Sequence, residues 1–124
     1  MTRRDADPGE PAGPREELAV SVRRFDGAQV VTASGTIDLR TRPQLARAIT
    51  AAVAERPADV VIDLTDVDFM SSVGLHVLLD ARHEAGNRTR LRVIATGRPL
   101  RTVTDTGLDE ALAVYPARPD NGDG

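Results

Sequence analysis

The apolar residues of this chain change their period several times, and the order of those changes constrains the fold more than any single motif. Leu18, Val20 and Val22 alternate with Ala19, Ser21 and Arg23, the two-residue period of a half-buried strand. Val30-Val31-Thr32-Ala33 follows Asp26-Gly27, so the pair reads as a hairpin with a glycine-containing turn. Gly35 is expected to end the second strand. From Thr41 the period becomes helical, with Leu45, Ala48, Ile49, Ala52 and Val53 at i, i+3, i+4, i+7 and i+8. Thr41 and Gln44 have the spacing of a capping box, and Pro57 stops the helix. Val60-Val61-Ile62-Asp63-Leu64 is a β-branched run, the mark of a central strand buried on both faces. A second helix is expected from Ser71 or Ser72 through Leu75, Leu78, Leu79 and Arg82 to a stop at Gly86. Leu91 to Ala95 reads as a strand, Pro99 to Thr106 as a short helix closed by Gly107, and Ala113-Val114-Tyr115 as a last strand. The order β-β-α-β-α-β-α-β predicts an α/β fold: a mostly parallel sheet with right-handed crossovers, opened by one hairpin.

Residues 1–15 hold three prolines and two glycines, with only Met1, Ala6 and Ala12 apolar. Such a segment cannot bury enough surface to offset its ordering entropy, so 1–15 is expected to be a disordered tail and 116–124 a flexible one. That leaves a single domain over 16–115. Composition then removes whole classes of chemistry. All 16 cations are arginine, so a P-loop or a Schiff-base enzyme has no primary ammonium to use. There is no cysteine for a disulfide, a zinc cluster or thiol catalysis. With a net charge of −3, scattered arginines and three aromatic residues, nothing resembles a nucleic-acid surface. The longest apolar run, Ala111 to Tyr115, is five residues, against the ~20 of a membrane-spanning helix. No signal peptide is legible, and a cytoplasmic protein without membrane association is expected.

The most informative segment is Asp63-Leu64-Thr65-Asp66-Val67-Asp68-Phe69-Met70-Ser71-Ser72-Val73-Gly74-Leu75-His76. It places two hydroxyls where a strand is expected to pass through a short loop into a helix, the edge at which open α/β sheets meet their ligands. A phosphate is well tolerated at a helix N-terminus, beside unpaired amides and the positive end of the dipole. A serine there is also an ordinary N-cap, contributing about 1 kcal/mol with no regulatory role. Phe69 is expected to anchor the loop in the core and leave the serine at the surface.

This run strongly resembles the phosphorylation-site segment of STAS-domain anti-sigma factor antagonists, and Gly35-Thr36-Ile37-Asp38-Leu39 resembles the second signature of that family, a glycine-x-hydrophobic-aspartate turn before the first helix. The resemblance covers about residues 16–115, and the element order matches. It implies a binding module that sequesters an anti-sigma factor, itself a serine kinase, and so frees a sigma factor. It implies phosphorylation of Ser72, with Ser71 the second candidate, and a phosphatase to reverse it. It implies a partner surface that includes Thr36, Asp38, Ser71, Ser72, Val73, Gly74 and His76, with Asp38 aiding kinase recognition. The acceptor itself needs no metal or cofactor, and a monomer is expected when free. The chain departs from the pattern at Ser71, where aspartate is common, and at Thr36, where an acid is common. It ends soon after Tyr115, so the family's frequent terminal helix is not expected.

Other constellations are weaker. Asp66-Val67-Asp68 could attract a divalent ion but more simply forms a solvated turn. His76, Asp80, His83 and Glu84 share a helix face at metal-compatible spacing, yet lie opposite the apolar stripe, where a wet face is the simpler reading. Neither a Gly-x-Ser-x-Gly elbow nor a usable histidine base is present for serine hydrolysis. The rival to the antagonist is a STAS interaction subunit of a larger signalling or transporter assembly, in which Ser72 only caps a helix.

Overall fold

Two antiparallel strands, β1 (Leu18–Phe25) and β2 (Ala28–Ile37), open the described chain. They are joined at Asp26-Gly27, where Gly27 supplies the φ of +70° that the tight turn requires. Helix α1 (Arg42–Ala54), strand β3 (Asp59–Met70), helix α2 (Ser72–Ala85), strand β4 (Arg90–Ile94), helix α3 (Gly97–Asp105) and strand β5 (Ala113–Tyr115) follow. The computed structural model describes residues 17–108 and 112–116; the two tails expected from the sequence lie outside the described residues, apart from Pro116.

The sheet order is β1-β2-β3-β4-β5, parallel throughout except for the opening hairpin. Because spatial order equals chain order, every right-handed crossover steps the same way and lays its helix on the same face. One apolar cluster accordingly joins Leu45 and Ile49 of α1, Leu75 and Leu78 of α2 and Val103 of α3 to Val31, Ile62, Leu64 and Val93 of the sheet. Pro57 lies three residues past the end of α1, and α2 stops at Gly86, whose φ is +58°. Central strand β3 buries Val60, Ile62, Asp63 and Leu64, with Val61 half-buried.

Three local expectations are corrected. Gly35 does not end β2, which continues to Ile37. It has φ +111°, and an added Cβ would collide with the carbonyl oxygen of Glu17, so its role is close approach of the chain entering β1. The same oxygen accepts the Thr36 N–H at 3.1 Å. Thr41 and Gln44 do not form a capping box: the Thr41 hydroxyl donates to Thr36 O at 2.8 Å and the Gln44 amide donates to Leu18 O at 2.9 Å, tying the first turn of α1 to β2 and β1 instead. Finally, no loop separates the third strand from α2. The strand runs twelve residues to Met70, and Asp66 and Asp68 lie within it rather than in a solvated turn.

The register explains why this extension was not legible. Thr32 pairs with Asp63 and Ser34 with Asp66, then Gly35 with Val67 and Thr36 with Phe69, so β3 carries one surplus residue at each of two bulges. Each surplus residue lets the strand turn over, and the inward positions become Leu64, Val67 and Met70, three apart rather than two. Phe69, expected in the core, is therefore 41% exposed, and Met70 occupies the buried place at 2%.

Candidate functional site

The long third strand delivers its end directly into α2. Ser71, the N-cap residue, is extended (φ −82°, ψ 175°), and its N–H donates to Ile37 O at 2.9 Å, pinning the end of β3 to the end of β2. Ser72 is the first helical residue. It is exposed, Ser71 is half-buried, and neither hydroxyl makes a hydrogen bond among the described residues. The capping role open to both serines is thus unfilled. Val73 is half-buried, and His76 is exposed one turn below Ser72 on α2.

Gly74 lies beneath this turn. A Cβ there would sit 2.6 Å from Met70 Cγ, 2.7 Å from its Sδ and 3.1 Å from Ile37 Cγ2. The missing side chain is what lets α2 settle onto the strand ends. Thr36 and Gly74 are buried, so they shape the surface from below, whereas Ser72 and His76 are exposed and Asp38 is half-buried.

The Asp38 carboxylate is engaged with its own loop. Oδ1 accepts the N–H groups of Arg40 and Thr41, each at 3.0 Å, and Oδ2 lies 3.6 Å from the Arg40 guanidinium. These bonds, led by the Thr41 amide, hold the carboxyl below the usual aspartate range. The Asp38 N–H in turn donates to the Thr41 hydroxyl at 3.0 Å. Asp38 therefore builds the turn that fixes the Ile37 carbonyl, and through it Ser71, whatever else it contacts.

Two contributors were not found in the sequence. Met70 packs under Gly74, and the Thr102 hydroxyl on α3 donates to Met70 O at 3.3 Å, so α3 braces the same strand end. Nothing in the α3 sequence marks Thr102, because its role depends on a backbone carbonyl 32 residues earlier. The face formed by His76, Asp80, His83 and Glu84 holds no group of three metal-ligating side chains, nor does any other site among the described residues. No described helix is long and apolar enough to cross a membrane.

This geometry has relatives. The chain is 34% identical over 104 residues to the anti-sigma-F factor antagonist RsfB of Mycobacterium tuberculosis, covering 81% of this chain and 83% of that one. A crystal structure of an anti-sigma factor antagonist from Mycobacterium paratuberculosis superposes with a TM-score of 0.81 at 38% identity, over 87% of this chain and 93% of that one. The anti-sigma factor antagonist SpoIIAA in its unphosphorylated form matches with a TM-score of 0.70 at 16% identity, over 85% and 93% of the two chains, a likeness of fold. The STAS domain model matches residues 19–120, spanning both signature segments and all five strands, and the chain belongs to the STAS domain family.

Proposed function

We propose that the protein is an anti-sigma factor antagonist: a binding module, not an enzyme, that sequesters an anti-sigma factor in the cytoplasm and is released when that partner, acting as a kinase, phosphorylates Ser72. Two relatives above 30% identity that carry the antagonist name support the first half. The observation that carries the second is the Ser72 hydroxyl, exposed at the first position of α2 and without a hydrogen bond among the described residues. Ser71 is the second acceptor candidate; half-buried at the N-cap, it is less open to a kinase.

The electrostatics fit a switch. Phosphorylation adds a charge of about −1.5 to −2. At Ser72 that charge would stand next to the loop carrying Asp38 and close in the chain to Asp66 and Asp68. A surface that binds as a neutral hydroxyl would then present a strongly hydrated dianion, which a close-packed partner cannot desolvate. A phosphatase would restore binding.

The test combines the full chain with an ATP-binding anti-sigma factor from its own genome, with and without ATP, followed by mass spectrometry and a binding assay. Phosphate is expected on Ser72 and loss of binding with it. Ser72→Ala should stay bound in ATP, and Ser72→Glu should bind more weakly. Binding without phosphate on Ser72 or Ser71 would refute the switch and leave an interaction subunit.

A further inference from the structure

Helices α1 and α2 lie side by side on the sheet, and between them runs a groove of about 350 Å³. Its floor is apolar and small: Ala46 and Ile49 from α1, Val77 and Ala81 from α2. Arg42 and His76 stand at its upper end, His76 one helical turn below Ser72, so the groove opens onto the face that carries the acceptor serine. Along its α2 wall stand Asp80 and Glu84, both exposed and one turn apart. Asp80 has no hydrogen-bond or ion-pair partner among the described residues, and Glu84 meets only the Thr50 hydroxyl at 3.5 Å. Among the described residues no arginine is ion-paired with either acid; Arg24 pairs with Glu55, Arg40 with Asp38, and Arg90 and Arg92 with Asp59. Two like charges at i and i+4 repel one another, and no ion pair among the described residues offsets them, although Arg42 stands at the head of the groove and Arg56 and Arg88 line the hollow beyond Glu84.

We infer that this groove is the second half of the partner surface, and that it takes an amphipathic helix of the anti-sigma factor, with apolar side chains over Ala46 and Val77 and an arginine or lysine between Asp80 and Glu84. The inference rests on the antagonist reading above and adds the chemistry of the bound segment. Three features support it. The groove is continuous with the Ser72 face. From His76 to Glu84 it extends eight residues, about 12 Å, long enough for two turns of a docked helix. The two carboxylates of its α2 wall are not ion-paired among the described residues and are complementary to a basic helix. Such a contact would set affinity and orientation well away from the phosphate, leaving Ser72 to act as the release trigger at one end of a larger interface.

The experiment measures binding of the same anti-sigma factor at low and high salt to three proteins: wild type, the double variant Asp80→Asn/Glu84→Gln, and Ala46→Glu. Melting curves check that all three are folded. The neutralised variant is expected to bind about tenfold more weakly at low salt and to lose most of the salt dependence. Ala46→Glu, which blocks the floor, is expected to lose at least as much. Both variants binding within twofold of wild type would overturn the inference while leaving the antagonist reading intact. Loss in Ala46→Glu alone would overturn the basic character of the occupant. A dimer of the free chain that Ala46→Glu dissociates would show a second copy to be the occupant and overturn it too. Failure of wild type to bind would remove the antagonist reading itself, and the inference with it.

Discussion

Replacing Gly74 by alanine sets two effects of opposite sign against each other. Alanine in place of glycine favours a helix by about 1 kcal/mol at most. Against this, the new methyl would stand 2.6 and 2.7 Å from Met70 Cγ and Sδ and 3.1 Å from Ile37 Cγ2, whereas ordinary contact begins at 3.4 Å. Neither neighbour can move into solvent, since Met70 is 2% exposed and Ile37 is fully buried. Overpacking of this kind typically costs about 1–3 kcal/mol, so after the helix gain a net loss of up to about 2 kcal/mol is expected. For a domain of this size each kcal/mol lost lowers Tm by roughly 4–8 °C. Urea and thermal unfolding of Gly74→Ala, Met70→Ala and the double variant would measure it. Met70→Ala alone should cost about 2–5 kcal/mol by leaving a cavity, but in that background the Gly74 methyl has room and should cost nothing or stabilise. An equal cost in both backgrounds would refute the packing argument.

Two further outcomes follow from the β2–α1 corner. Gly35→Ala combines a positive φ that alanine resists with a collision against the Glu17 carbonyl; a loss of about 3 kcal/mol or more is expected, read as a fall in urea midpoint, and a loss under 1 kcal/mol would contradict it. Asp38→Ala should destabilise the domain most near neutral pH. Because folding lowers the Asp38 pKa, its contribution is complete above the unfolded value near 4 and fades as pH falls through the lower folded value. The urea-midpoint gap between wild type and variant should therefore narrow below about pH 4; a constant gap would assign the effect to something other than the ionised carboxylate.

Element types were legible because each amphipathic period is local: the 3.6-residue spacing of Leu45, Ile49, Ala52 and Val53 needs no knowledge of its neighbours. What escaped depends on pairing. The two bulges opposite Thr32–Ser34 and Gly35–Thr36 convert the inward rhythm of β3 from two to three, so Asp66 and Asp68 looked like a turn and Phe69 like a core residue. The capping box failed for a related reason. The Thr41 hydroxyl and Gln44 amide found carbonyls at Thr36 and Leu18, partners that exist only once the sheet has formed. At the candidate site the two serines could be read from sequence, since the strand-to-helix change and the motif coincide there. Thr102 could not, nor could the part played by Met70 as the surface on which Gly74 rests.

The identity of spatial and chain order in the sheet bears on how the molecule is made. Every strand after the first hairpin docks on the edge left by its immediate predecessor, and no gap is held open for a later segment. Each closure spans a single described helix, which keeps the sequence separation of the pairings short for a parallel sheet. Assembly can therefore advance from the β1–β2 hairpin toward β5 as the polypeptide leaves the ribosome, one strand and one helix at a time. Ser71 acquires its bond to Ile37 when β3 docks, so the turn that carries the two serines is shaped before β5 is in place.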